Sequence, residues 1–314
     1  MNTLREAVHE YIDMRRNLGF KMNDTLRGLL AFAAFMEQKQ ASFITVELAL
    51  AWAQQPVNVQ PAHWAQRLSY VRGFARFRKA ADSRTEIPPP GLLPFQPRRA
   101  TPYLYSDEEI RKLLQAALDM PYTDERCALY PWIYHCLFGL LSVTGLRLGE
   151  ARNLELPDVD LDAAVLTVRD AKHDRTRLVP LHGSTCEVLA DYIDRRARHW
   201  EGYPVSSYLF VSSWGNRLDG AAIRRAFYKL SRKNGLRGEN DSHGPRLHDM
   251  RHTLAVRTLV NWYRRDQDPE RLLPILSAWL GHVKVSDTQW YLEGSPELMR
   301  EAMRRLERRW EGQT

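Results

Sequence analysis

Residues 138–159 read FGLLSVTGLRLGEARNLELPDV, an apolar run that stops at Gly145 and is followed almost at once by Arg147. The run starts near residue 130, and its length and hydrophobicity predict a helix buried in a protein core. It is short for a membrane span. Because glycine commonly ends a helix, we expect the chain to turn at Gly145 and a new helix to start at Arg147, where free backbone amides favour an anion.

Length and composition predict a globular protein with more than one domain. The chain has 314 residues, of which 44% are hydrophobic and 26% charged, as in water-soluble folded proteins. A net charge of +7 favours a polyanionic partner, although many basic proteins bind no nucleic acid. The three cysteines have no C-x-x-C spacing, and the start MNTLREAVHEYIDMRR has no signal-peptide core. We therefore expect a cytoplasmic protein without disulfides, structural zinc or a membrane partner.

Residues 1–87 are predicted to form an all-helical domain. Apolar residues recur at helical spacing in four segments of this region. The predicted starts are Leu4, a cap at Asn23-Asp24-Thr25, a cap at Thr45, and Pro61.

The fourth of these helices carries a row of cations. Arg72, Arg76 and Lys79 fall at i, i+4 and i+7, while Leu68 and Val71 lie on another face. Such a row is consistent with a helix that lies along a phosphate backbone. The alternative is a solvated basic face, which is common in helical proteins.

Residues 88–103 are predicted to be a linker. The stretch PPPGLLPFQPRRATP holds six prolines together with Arg98 and Arg99. Proline lacks an amide donor and restricts its neighbours, so this stretch is expected to be extended. A basic linker of this kind could follow a duplex around its circumference, with a second domain over residues 104–314.

The second domain is predicted to be helical with one β-hairpin, so the fold class is mainly α with a small β-sheet (α+β). A capping box at Ser106 to Glu109 opens a helix that runs to about Leu118. AAVLTVRD and TRLVPLH alternate apolar and polar residues around the turn AKHDR, which predicts a hairpin. Further helices are expected near 185–199, 220–233, 249–265, 269–280 and 297–311.

Five short motifs in the second domain occur in a fixed order. They are TGLRLGE with Arg147, the hairpin turn with Lys172, HDMRHT with His248 and Arg251, LGH ending at His282, and SDTQWY ending nine residues later at Tyr291. Each motif alone is weak. Together they resemble the tyrosine recombinase (phage integrase) family over about residues 104–314, and the N-terminal unit is similar to the core-binding domain of that family.

The chemistry of DNA cleavage explains why arginines and a histidine occur in this set. Attack on a phosphodiester concentrates negative charge on the non-bridging oxygens, and two guanidiniums can each donate paired hydrogen bonds to them. Arg147 and Arg251 are the candidates. His248 lies one helical turn from Arg251 and can exchange a proton with a tyrosine, whose ordinary pKa near 10 makes it a poor nucleophile.

The resemblance implies the remaining roles. Tyr291 is the expected nucleophile, forming a 3′-phosphotyrosyl link, and Lys172 is expected to protonate the departing 5′-oxygen. His282 is expected to donate a hydrogen bond to the scissile phosphate. Glu150 would orient Arg147, although it could also be a simple salt-bridge partner three residues away, and Arg175 could touch phosphate.

The resemblance also implies the partners. Four copies would act on double-stranded DNA with a specific core site, exchanging strands through a Holliday junction without ATP, metal or another cofactor. Accessory recombinases or DNA-bending proteins are further partners in the family. The terminal helix, with Leu298, Ala302, Leu306 and Trp310 on one predicted stripe, would dock into a neighbouring subunit; the alternative is packing on its own domain.

Three other functions are consistent with parts of the sequence. The spacing of His248 and His252 matches that of H-E-x-x-H zinc hydrolases, although aspartate replaces the glutamate and a third ligand is not evident. A DNA-binding regulator without catalysis would keep the basic surface but not need Tyr291. A type IB topoisomerase would share the chemistry but not the need for a specific site.

Overall fold

A computed structural model describes residues 3–95, 101–170, 175–241, 243–292 and 295–311. The chain divides into two compact units, residues 1–100 and 101–314. Residues 88–95 thus belong to the first unit, and the role of residues 88–103 as a DNA-following linker stays a prediction.

The first unit is built from four helices around one core. They are α1 (Leu4–Asn17), α2 (Asn23–Gln38), α3 (Val46–Ala53) and α4 (Pro61–Arg78). The Thr45 hydroxyl caps α3 by accepting from the amide of Leu48 at 3.2 Å, as predicted. The predicted cap of α2 is wrong, because Asn23 is already helical and Met22 precedes it without a side-chain cap. The largest buried side chains of this core include Ile12, Phe32, Trp52 and Phe74.

The second unit combines nine helices, among the described residues, with one small sheet. The helices are α5 (Asp107–Leu118), α6 (Tyr130–Thr144), α7 (Leu148–Asn153), α8 (Gly183–His199), α9 (Gly220–Lys233), α10 (Leu247–Arg264), α11 (Pro269–Leu280), α12 (Ser286–Gln289) and α13 (Pro296–Glu311). The strands are β1 (Val159–Asp160), β2 (Val165–Asp170) and β3 (Arg175–Pro180), antiparallel in the order β1-β2-β3. The predicted mainly α fold with a small β-sheet is confirmed, and the two-residue β1 is an addition.

Helix α6 is the centre of this unit, as its hydrophobicity predicted. It packs against α5, α8 and α10, with Leu137, Phe138 and Leu141 in the core. Of the described residues, one stretch, 125–144, is long and apolar enough to cross a membrane, and 56% of its apolar window is buried inside the protein. Buried partners on three sides account for its hydrophobicity.

Helix α13 packs on α10 of its own chain. Leu298 is buried in the α10–α11 core, and Arg264 pairs with Glu297 at 2.7 Å and Glu301 at 3.2 Å. The predicted apolar stripe does not pack as a whole, because Leu306 and Trp310 are exposed. Exchange of this helix between subunits stays a prediction.

Candidate active site

Two helix ends meet at the centre of the site. Helix α6 ends at Gly145 and α11 ends at Gly281, each in the left-handed conformation with φ near +67°. The Gly145 carbonyl accepts from Nη1 of Arg251 at 2.7 Å, and the Gly281 carbonyl accepts from both terminal nitrogens of Arg147 at 3.2 and 3.3 Å. The two glycines therefore bring both predicted phosphate-binding arginines to one place.

Arg147 lies at the start of α7, as the sequence predicted. Its amide donates to Oε2 of Glu150 at 2.8 Å, and its Nη1 donates to Oε1 of the same carboxylate at 2.8 Å. The Arg147 side chain is 41% exposed, whereas that of Glu150 is 9% exposed. The salt bridge to Glu150 and the contact expected to orient Arg147 are thus the same interaction. It leaves one face of the Arg147 guanidinium open to solvent.

Arg251 is enclosed instead. Its residue is 1% exposed. Besides Gly145, its guanidinium donates through Nη2 to the Leu280 carbonyl at 2.6 Å and to Nε2 of His282 at 2.8 Å. Its Nε lies 3.4 Å from the Tyr291 hydroxyl oxygen. Each of its three nitrogens thus has a protein acceptor, and the residue is closed off from solvent, so a phosphate can reach it only after neighbouring groups move.

Tyr291 lies within this cluster and belongs to the same chain. It is in a short 3₁₀ turn, residues 290–292, and is 4% exposed. Its ring stacks on His282 at a centroid distance of 5.8 Å and meets the edge of His252 at 4.9 Å. The structure thus brings Tyr291, Arg251 and His282 together, and it explains His252 as a packing partner of the tyrosine.

His282 is a neutral imidazole in this arrangement. Because its Nε2 accepts from Arg251, its Nδ1 carries the proton and donates to the Thr288 hydroxyl at 2.7 Å. Burial and the charge of Arg251 lower the pKa of His282 to about 4. The ring holds Arg251 and stacks on Tyr291, and it can donate to a phosphate only when Arg251 releases Nε2.

His248 lies one turn before Arg251 on α10, at the wall of a cavity of about 310 Å³ that Arg224, Tyr228 and Arg246 also line. Desolvation and the charge of Arg251 lower the pKa of His248 below its ordinary value. A neutral imidazole at pH 7 can accept a proton. Arg224 of α9 is a cation near the site that the sequence analysis did not single out.

Several predicted DNA contacts lie elsewhere or outside the described residues. Lys172, Arg98 and Arg99 fall outside the described part of the chain, as does the side chain of Arg175. In the first unit, Arg72 donates to the Pro88 and Pro89 carbonyls at 2.7 and 2.9 Å, and Lys79 donates to the Thr85 carbonyl at 2.9 Å. Arg76 is exposed. In the described part of the chain, two of the three cations in the predicted row are therefore tied to the segment that follows α4, and Arg76 is the third.

The sequence analysis also missed Arg177 of β3. Its Nη2 donates to Oε2 of Glu150 at 2.8 Å, so one carboxylate holds two arginines. The alternation in TRLVP places Arg177 on the same strand face as the buried Val179. An arginine at an inward-facing strand position is the signal that could have identified it.

The described residues do not support the zinc-hydrolase alternative. Within them, no three His, Cys, Asp or Glu side chains come together in a way that could hold a metal ion. His252 packs on Tyr291, and His248 faces the cavity beside Arg246.

Comparisons with known proteins agree with the order of the motifs. The model of the phage integrase family matches residues 104–297. A protein of Sinorhizobium fredii named "Putative integrase/recombinase y4rB" is 67% identical over 314 residues, which is 100% of both chains. Tyrosine recombinase XerA of Thermococcus kodakarensis is 28% identical over 74% of this chain and 71% of its own length. A crystal structure of a lambda integrase tetramer bound to a Holliday junction has a similar fold, with a TM-score of 0.61, 18% identity, and coverage of 91% of this chain and 79% of that one.

Proposed function

We propose that this chain, which belongs to the phage integrase family of tyrosine-type site-specific recombinases, cuts and rejoins DNA strands through a covalent link between Tyr291 and a 3′-phosphate. One observation carries the proposal. The hydroxyl of Tyr291 lies 3.4 Å from Nε of Arg251, in the cluster that also contains His282. A nucleophile and a cation that can bind the phosphate it attacks thus already lie side by side.

The proposed step exchanges one phosphate ester for another. The Tyr291 oxygen forms a bond to the scissile phosphorus, and the bond from phosphorus to the 5′-oxygen breaks. His248 takes the phenolic proton, and Lys172 gives a proton to the 5′-oxygen, which leaves as a hydroxyl. The 5′-hydroxyl of another strand then reverses the step. Because the phosphotyrosyl ester conserves the bond energy, the exchange needs no ATP.

Arg147 and Arg251 stabilise the charge that builds up on the phosphate. Arg147 has an open face and can meet the DNA first, held in place by Glu150. Arg251 is buried, so the phosphate takes the place of one of its acceptors as the Tyr291 hydroxyl swings to attack. Once bound DNA covers the open face of Arg147, fixed guanidiniums favour the transition state more than they would in solution.

The proposed substrate is double-stranded DNA with a specific core site, in the cytoplasm. Four copies on two duplexes would exchange strands through a Holliday junction; the lambda integrase structure of similar fold is a tetramer on such a junction. In this chain, α13 exposes Leu306 and Trp310, and these side chains would pack on a neighbouring subunit. The basic side chains of both units supply the sequence-independent part of the affinity.

The proposal is tested by capture of covalent complexes. Purified protein is incubated with sheared DNA from the genome that encodes it, denatured with SDS, and trapped on a filter together with any DNA joined to it. We expect recovered fragments that share one short sequence, with or without EDTA in the buffer. Metal-dependent cutting of the DNA without any covalent complex would instead favour a hydrolase, and captured fragments without a shared sequence would favour a topoisomerase.

The matched variants are Tyr291→Phe and Tyr263→Phe. Tyr263 packs at the edge of the same core and provides the control for loss of a phenolic oxygen. We expect Tyr291→Phe to bind the recovered fragment but to form no covalent complex, while Tyr263→Phe behaves like the wild type. Equal capture by Tyr291→Phe would contradict the proposed nucleophile, and binding by the wild type with neither capture nor cutting of the DNA would favour a DNA-binding regulator.

A further inference from the structure

The side chain of Arg177 faces into the protein, whereas the residues on either side of it in β3, Thr176 and Leu178, are exposed. It lies on β3 opposite Val168 of β2, two residues before the buried Val179 and next to the exposed Leu178. Its side chain is mostly buried. Burying an arginine is costly unless its donors are satisfied, so its partners are expected to account for its place in the fold.

The partners of Arg177 come from two other segments. Its Nε donates to the Trp279 carbonyl at 2.9 Å, and its Nη1 and Nη2 donate to the two oxygens of Glu150 at 3.2 and 2.8 Å. The forked guanidinium therefore joins β3 to α7, which follows Arg147, and to the end of α11, which precedes His282.

Gly281 shows how closely this cation fits. A methyl group added at Gly281 would lie 2.6 Å from Nη1 of Arg177 and 2.8 Å from its Cζ. The carbonyl of the same glycine accepts from Arg147. Arg177 thus fills the space beneath the turn that supports Arg147 on one side and leads to His282 on the other.

The charge balance around Glu150 also depends on Arg177. Burial acts to raise the pKa of Glu150, but hydrogen bonds from Arg177 and from the Arg147 amide outweigh it, so the pKa is lowered and the carboxylate stays charged. Without Arg177, a buried carboxylate would have Arg147 as its one guanidinium partner among the described residues, and would draw that side chain inward.

We propose that Arg177 is a positioning residue of the recombination reaction, which sets the guanidinium of Arg147 and the turn before His282 through Glu150 and the Trp279 carbonyl. It also ties β3, and with it the hairpin that carries Lys172 in the sequence, to the same carboxylate. Arg177 itself does not touch the phosphate. The inference rests on the proposed function.

The test uses Arg177→Met, Arg177→Lys and the control Arg169→Met. Arg169 lies on β2 of the same sheet and pairs with the buried carboxylate of Asp158 at 2.9 Å instead of with Glu150. The probe is the duplex fragment captured by the wild type, nicked near the cleavage point so that the covalent complex accumulates. The single-turnover rate at saturating DNA and the Kd are measured separately, together with a thermal melting curve.

We expect Arg177→Met to cleave about 100-fold more slowly, because a displacement of about 1 Å in a reacting group costs that much. The Kd should stay close to that of the wild type, and Arg169→Met should cleave normally. Arg177→Lys keeps the charge but cannot hold Glu150 and the Trp279 carbonyl together, so an intermediate rate is expected. If Arg177→Met does not fold, the cleavage rate of Arg177→Lys, measured below its melting temperature, takes its place in the test. A normal rate in that variant would then overturn the inference.

A double-mutant cycle separates positioning from a merely structural role. Because Arg177 acts in part through Glu150, the loss of rate in Arg177→Met combined with Glu150→Gln should be clearly smaller than the product of the two single losses. Losses that multiply, a loss seen only in the Kd, or a normal rate in Arg177→Met would each overturn the inference. Failure of the wild type to form a covalent complex would overturn the proposed function instead, so the two failures are distinguishable.

Discussion

Arg147 and Arg251 were predicted to play one role but have very different surroundings. Arg147 is 41% exposed and held by Glu150, while Arg251 is 1% exposed and surrounded by protein acceptors. Tyr291 adjoins the buried arginine. The site therefore combines a half-exposed arginine, Arg147, with a buried arginine, Arg251, that contacts the proposed nucleophile.

Arg147→Ala should abolish cleavage while leaving the fold and DNA binding largely intact. Glu150 keeps Arg177 as a partner, so the carboxylate is not left unpaired, whereas the transition state loses a paired donor. We expect at least about a 100-fold slower single-turnover rate. The control Arg126→Ala removes an exposed arginine that pairs with Asp124. Equal rates in the two variants would contradict the assignment of Arg147.

Protein stability should fall as the pH drops from about 6.5 to 4. The pKa values of His252 and His282 are lowered to about 4, mainly by burial. Between these pH limits the unfolded chain binds more protons than the folded one, so acid favours unfolding. His252→Gln should reduce the slope of the unfolding free energy by up to about 1.4 kcal/mol per pH unit in urea titrations. The control His9→Gln removes an exposed imidazole. An equal slope of unfolding free energy against pH in the two variants would show that His252 does not cause the acid sensitivity.

At the element scale, the site depends on where helices end. Helices α6 and α11 stop at left-handed glycines, and their last carbonyls hold the two arginines. A methyl group at Gly145 would lie 2.9 Å from Cδ2 of Leu254 and 3.0 Å from Cδ2 of Leu280. This glycine is required by both its backbone conformation and its close packing.

Gly145→Ala should cost more stability than Gly202→Ala. Both glycines have positive φ, but no atom of the described residues lies within 4 Å of a methyl group at Gly202. The backbone conformation costs about 1 kcal/mol in either variant, and crowding at Gly145 adds about 1–3 kcal/mol. Urea unfolding measures the difference. Equal losses of unfolding free energy in the two variants would show that Leu254 and Leu280 move aside at no cost.

Local signals predicted the elements, and long-range contacts decided the site. The bounds of α9 and α11 agree with the expectation, because Asp219, Asp268 and Gly281 mark their ends in the sequence. By contrast, Arg177 and Glu150 are 27 residues apart and on different elements. No local pattern pairs them, and none shows that Arg251 is enclosed by two carbonyls and a histidine.

The terminal helix shows the same limit. A stripe from Leu298 to Trp310 is visible in the sequence, but which part of it packs depends on contacts with α10 and α11, which are distant along the chain. Leu298 is buried and Trp310 is exposed. Periodicity predicts an amphipathic helix but does not identify the partner of each side chain.

At the scale of the whole molecule, two units carry a net charge of +7. Cations in each unit suit a polyanionic duplex, whose binding should weaken with salt. The second unit contains Arg147, Arg251, His282 and Tyr291 in one chain. We therefore propose that a single chain carries both its nucleophile and the cations that activate the phosphate.

The identity of the linked atoms tests this claim most directly. The covalent complex formed with the captured fragment is digested with protease and nuclease, and the surviving peptide–nucleotide adduct is sequenced by mass spectrometry. We expect a 3′-phosphate on the oxygen of Tyr291 and a free 5′-hydroxyl on the other product. A link to another residue, or to a 5′-phosphate, would contradict it.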